Sequence, residues 1–323
     1  MTNNVPSIKI MLTAVMTVIL LAACQYKDID ETDSAWVRKT ELGLHFDWKD
    51  VDSIPASMRV VFYPKDRTYF TQGYTFFDVL NSDTVISLPA GAYAVTAWNN
   101  DLEHTLTYNL AQQQTAYATT GPYSPRGDAN VPHVLDSIYN GQTVLDYPDY
   151  MVHTFMDDFT LQEQGSQRQV LTLTPDSMVM TVEVKIGGIK GLEYCKRVRA
   201  AVNDVKEKRY MAYTDLTEGR VAVMFDAKTY PEEDCVRARF WVFGIEPTGK
   251  EIALIFFWIT GNQVYLPIDV TQAFNNAKSS RAYLYIDIED AGLDLWNYVR
   301  AGSTGISVEA EDWEETKEIT LGF

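Results

Sequence analysis

Cysteine and histidine are scarce in this chain. The three cysteines are Cys24, Cys195 and Cys235, and none has a Cys or His neighbour at zinc-ligand spacing. The four histidines, His45, His104, His133 and His153, stand far apart and suggest no metal triad. Positive charge is also deficient: 27 Lys and Arg face 44 Asp and Glu, for a net charge of -17. Nucleic acid and anionic head groups repel a chain so acidic, so neither is an expected partner. Gly-x-Ser-x-Gly, the Walker loop and His-Glu-x-x-His are all missing. Acidic runs such as Asp157-Asp158 and Glu232-Glu233-Asp234 have the residue type glycoside hydrolysis needs, but among 44 acids they read as solvated surface. Ile186-Gly187-Gly188-Ile189-Lys190-Gly191 opens no predicted helix and reads as a turn rather than a phosphate cradle. Arg126-Gly127-Asp128 reads as a turn too. The expectation is a protein with no catalytic residues, no metal and no cofactor.

What is present begins at the N-terminus. After Lys9 an apolar run extends from Ile10 to Ala23, about fourteen residues where a spanning helix takes roughly twenty. It reads as the hydrophobic segment of a signal peptide over residues 1–23. Leu21-Ala22-Ala23-Cys24 has the lipobox form, in which the Cys24 thiol accepts diacylglycerol. Lipid there would attach the protein to a membrane with no spanning helix. Cleavage removes one Lys and no acid, taking the net charge from -17 to -18. Residues 24–40 include Asp28, Asp30, Glu31 and Asp33 and form a polar tether that cannot bury a core. Outside the cytoplasm a disulfide between Cys195 and Cys235 is permitted; the alternative is two small buried hydrophobes.

The rest of the chain has the period of strands. Leu42, Leu44, Phe46 and Trp48 share one face. Ser57 to Tyr63 is a strand stopped by Pro64, and Pro89-Ala90-Gly91 between Thr84–Leu88 and Ala92–Asn100 predicts a hairpin. Residues 121–150 form a long irregular stretch with several prolines. The pattern resets near Thr174-Pro175-Asp176, which sets two domains, 41–170 and 171–323. In the second, Ile252 to Ile259 is apolar on both faces and reads as a central strand. Pro267 to Phe274 predicts a short helix, with Asp269 and Gln272 as its capping box. Strands punctuated by turns, with almost no helix, imply an all-β fold of antiparallel β-sandwiches. Trp48, Trp98 and Trp258 fall on apolar faces and read as core. Tyr117, Tyr123, Tyr139, Tyr147 and Tyr150 lie in and beside the irregular stretch, and the first four are the candidate sugar-stacking platform.

Several segments together resemble fimbrillin-like lipoproteins of the Bacteroidetes. They are the lipobox start, Leu88-Pro89-Ala90-Gly91-Ala92-Tyr93-Ala94-Val95-Thr96-Ala97-Trp98-Asn99-Asn100, Ile268-Asp269-Val270-Thr271-Gln272, and Ile306 to Trp313 near the end. The resemblance implies two transthyretin-like antiparallel β-sandwich domains in tandem, lipid attachment to the outer membrane through Cys24, and a fimbrial role as subunit, anchor or accessory protein. The acidic tether looks like the export signal of such lipoproteins. In polymerising relatives a protease cuts after an arginine, removes a first strand, and the next subunit fills the vacated groove by strand addition. The matching bond here is Arg38-Lys39, but a cut there removes only the tether and Ala35-Trp36-Val37. Ile319, Leu321 and Phe323 alternate along the C-terminus and fit either a donor strand or a last strand closing its own sheet. Capture of glycans by a surface lipoprotein is the alternative function.

Overall fold

The computed structural model describes residues 39–66, 73–123, 141–163, 165, 167–214, 216–245, 251–258, 263–271, 283–295, 297, 307–311 and 316–320. Nearly all their regular structure is strand, as the alternating pattern requires. In the first half the strands are β1 (Lys39–Phe46), β2 (Ser57–Pro64), β3 (Thr75–Leu80), β4 (Thr84–Pro89), β5 (Gly91–Asn99), β6 (Thr105–Tyr108), β7 (Tyr117–Thr120), β8 (Val144–Asp146), β9 (Val152–Leu161), β10 (Gln169–Leu173) and β11 (Asp176–Ser177). The second half holds β12 (Met180–Ile186), β13 (Ile189–Lys190), β14 (Cys195–Val205), β15 (Lys208–Tyr210), β16 (Thr217–Glu218), β17 (Val221–Tyr230), β18 (Cys235–Val242), β19 (Glu251–Trp258), β20 (Gln263–Asp269), β21 (Tyr283–Ile288), β22 (Leu293–Asp294), β23 (Ser307–Glu311) and β24 (Thr316–Thr320).

Two sheets enclose the first core. β1 lies between antiparallel β4 and parallel β10, and the facing sheet runs β11-β9-β5-β2-β3. Leu42, Leu44 and Phe46 meet Met58, Val60, Phe62 and Val95 between them. Trp48 joins at the rim, stacked on Phe46 at 5.2 Å. The connection through Pro89-Ala90-Gly91 differs from the expected hairpin. β4 pairs with β1 and β5 pairs with β2 and β9, so the turn carries the chain from one sheet to the other. β10 and β11 also belong to these sheets, and β12 opens the next one. The helix expected from Pro267 to Phe274 is corrected in part. Pro267 to Asp269 end β20, Asp269 accepts the Thr271 N–H at 2.8 Å, and residues 272–274 lie outside the described residues.

The second core sits inside one curled path, β20-β19-β14-β17-β18-β12-β21. β19 is interior, between β14 and β20, as expected for the Ile252–Ile259 run. β17 turns the corner: Val221 to Ala227 pair with β14, and Lys228 to Tyr230 pair with β18, a strand passing between two layers. Phe225 and Phe240 stack inside the bend, ring centroids 3.7 Å apart. The turn at Gly187-Gly188 packs backbone on backbone against Ile288 to Leu293. A Cβ on Gly187 would strike the carbonyl oxygen of Glu289, so this glycine serves close approach.

A third cluster joins the halves. Val61, Tyr63, Ala94 and Trp98, on the outer side of the five-stranded sheet, meet Ala118, Met178, Met211 and Phe243. Over them lies a small sheet, β16-β15-β7-β6, with two strands from each half. Arg209 is buried beneath it, where Nη1 donates to the Met178 carbonyl at 2.6 Å and Nη2 donates to Thr214.

Two predictions test this core. Phe240→Ala removes a fully buried ring and should cost about 3–5 kcal/mol in urea unfolding, whereas Leu80→Ala, at a side chain 67% exposed, should stay within about 0.5 kcal/mol. Equal losses would place Phe240 outside the core. Burial, first, pushes the Tyr63 and Tyr93 phenols well above their ordinary value. Their neutral forms therefore stabilise the fold fully below the unfolded pKa of about 10, and this stability is lost as pH rises through the higher folded values. Absorbance titration near 295 nm should show a group of tyrosines ionising late in native protein, and at about pH 10 once the protein is denatured.

Candidate functional site

The residues singled out from sequence fall into separate places. Cys24, Arg38, Tyr139, Leu321 and Phe323 lie outside the described residues. β1 starts at Lys39 and is held on both edges, so a break after Arg38 would leave its two ladders in place. Ile319 lies on β24, paired with Val308 of β23. Cys195 and Cys235 open strands on opposite flanks of β17, and no disulfide joins them. The Cys195 thiol points to the Arg197 carbonyl at 3.2 Å. Burial pushes the Cys235 thiol up. His45 Nδ1 lies 2.7 Å from Asp83. His153 is buried between the Met211 carbonyl and Asp176. Among the described residues no three His, Cys, Asp or Glu are placed to hold a metal ion.

Of the four platform tyrosines, Tyr117, Tyr123 and Tyr147 are described, and each has different surroundings. Tyr123 is buried, with the Arg199 guanidinium 5.4 Å from its ring centroid and donating to its hydroxyl. Tyr147 is half-buried, its ring 6.2 Å from His104 and 6.4 Å from Trp241. The Asp149 carboxylate fixes this region by accepting the N–H groups of Glu103, His104 and Thr105 at 2.7–2.9 Å. Burial, then the charges of Asp226 and Asp149, raises the Tyr147 phenol.

Tyr117 belongs to a row that the sequence pattern did not reveal. It lies directly between Tyr108 of β6 and Tyr210 of β15, with centroids 5.6 and 5.9 Å away. Tyr213 extends the row at 6.4 Å. Lys208 Nζ stands 5.0 Å from the Tyr117 ring centroid and 2.8 Å from Glu218, which also accepts the Tyr210 hydroxyl at 2.7 Å. These rings contact one another and Lys208, while Tyr108 and Tyr213 stay exposed.

A second surface lies on the outer face of β17, β18, β12 and β21. Val182, Val184, Val236 and Phe240 point into the core, so alternation turns Glu183, Lys185, Arg237 and Arg239 outward. They line an open groove of about 650 Å³, whose remaining wall includes Tyr147, Tyr230 and Tyr285. Lys228, Arg237 and Lys185 form one cross-strand row that ends at Asp287. In the next row Arg239 Nε is 3.5 Å from Glu183. The Arg237 guanidinium lies 4.6 Å from the Tyr230 ring centroid. Of these groove residues, sequence reading had named only Tyr147. The signal that would find the others is the outward parity of basic residues on β12 and β18.

Comparison with known proteins follows the fold closely. A candidate adhesin from Bacteroides ovatus ATCC 8483, of solved structure, shares 17% identity over 83% of this chain and 97% of its own, with a TM-score of 0.58. A second candidate adhesin from Bacteroides ovatus shares 9% identity over 88% and 98%, with a TM-score of 0.51. Both bear out the all-β expectation. No curated protein matches the sequence. A family profile described as a domain of unknown function, DUF5119, matches residues 23–226, and on that match over more than half its length the chain belongs to the DUF5119 family.

Proposed function

We propose that this protein is a non-enzymatic, lipid-anchored component of surface fimbriae. The observation that carries the reading is the fold, which is that of the candidate adhesins and extends over 97% of the first one's chain. The lipobox at Cys24 and the acidic tether behind it support export and attachment to the outer membrane, with residues 1–23 removed as a signal peptide. The position of β1 supports an anchor or accessory role over that of a strand-accepting subunit. β1 is the middle strand of its sheet, so a cut between Arg38 and Lys39 vacates no groove. Ile319, Leu321 and Phe323 keep the pattern of a donor strand, so this chain can offer one to a neighbouring subunit. That exchange requires β24 to leave β23.

The test is the intact mass of the protein isolated from outer membranes, together with probing of purified fimbriae. A mass beginning at diacylated Cys24, with the protein present in fimbriae, is the expected result. A mass beginning at Lys39 without lipid would instead mean processing and release as a polymerising subunit. Retention of residues 1–23, or absence from fimbriae, would overturn the proposal.

A further inference from the structure

We infer that the groove on the outer face of β17, β18, β12 and β21 binds an acidic saccharide, holding a carboxylate or sulfate carried on a pyranose ring between Lys185, Lys228 and Arg237. The argument starts from a cost. Arg237 stands directly opposite Lys185 on one neighbouring strand and Lys228 on the other, and like charges in such pairs destabilise a sheet. In a chain with 44 acids and 27 bases, three adjacent cations run against the composition.

Nearby acids compensate only in part. Lys185 Nζ is 3.7 Å from Asp287, and Arg237 contacts Glu233 in the turn between β17 and β18. Lys228 is exposed and forms no ion pair among the described residues. An anion seated over the row would relieve the repulsion. Arg237 is already oriented by Tyr230, and its planar fork suits two-point recognition of a carboxylate or sulfate.

The rest of the groove favours a sugar over an acidic peptide. Tyr147, Tyr230 and Tyr285 line it with side chains that combine an apolar ring and a polar tip, a pairing that suits a pyranose. Glu183 and Asp226 share the lining; they can accept hydrogen bonds from sugar hydroxyls, whereas the side chains of an acidic peptide offer them no donor. A volume of about 650 Å³ lies within the range of small-ligand clefts. The inference is independent of whether the chain polymerises.

Calorimetric titration of the purified protein at low salt tests it, with oligogalacturonate, a neutral malto-oligosaccharide and oligoglutamate as probes. Oligogalacturonate should bind, with affinity falling as salt rises, and the neutral sugar should not. Lys185→Gln and Arg237→Gln should each weaken binding about tenfold. Glu183→Gln removes a negative charge from the lining and should tighten binding, a gain no misfolded variant can give. Tyr285→Ala should weaken oligogalacturonate and leave the binding of inorganic sulfate unchanged. Failure of oligogalacturonate to bind, affinity unmoved by both cation variants, or tighter binding of oligoglutamate would overturn the inference.

Discussion

Backbone pairing between the two halves of the chain is the constraint on which the rest depends. β7 pairs with β15, and β8 runs parallel to β17. Each of these ladders joins segments far apart in sequence, so closing it carries a large loop-closure cost. The apolar cluster around Trp98 and Met211 then fills the space the joined strands enclose. A buried Arg209 satisfies carbonyls at Met178 and Thr214 within the same seam. A buried charge without such partners is costly, so this arginine favours one way of closing the seam.

Strand register also creates both outward surfaces. The tyrosine row exists because β7 and β15 meet in register, so that Tyr117 lies beside Tyr210. The cationic row exists because β17 changes layers at Lys228 and pairs there with Arg237. The two differ in how far their groups are already satisfied. In the tyrosine row, Lys208, Glu218 and Tyr210 close a network of charge and hydrogen bonds. In the groove, cations outnumber the acids that reach them along the Lys228–Arg237–Lys185 row.

Much of the fold was legible along the chain because alternation is a local signal. The face of β1, the extent of β2 and the interior position of β19 follow from runs of eight or so residues. Register and sheet membership are not local. Pro89-Ala90-Gly91 has the composition of a hairpin turn, yet the strands on either side join different sheets. β10 straddles residue 170 and pairs with β1, at the far end of the described first half. The groove was hidden for the same reason: Lys185, Lys228 and Arg237 are on three strands, and no spacing in the sequence brings them together. Tyr123 sits in a proline-rich stretch that reads as surface, but Arg199 on β14 covers it.

The place of β1 has a mechanical consequence. It enters its sheet at Lys39 and runs between an antiparallel and a parallel neighbour. A pull on the N-terminal end of the chain, along the axis of β1, loads the hydrogen bonds of both ladders together in shear. They cannot be unzipped one at a time, as they could if the strand were pulled sideways from an edge. A protein held by its N-terminal end in flowing liquid would meet drag first at this strand, where its sheet is strongest against that direction of force.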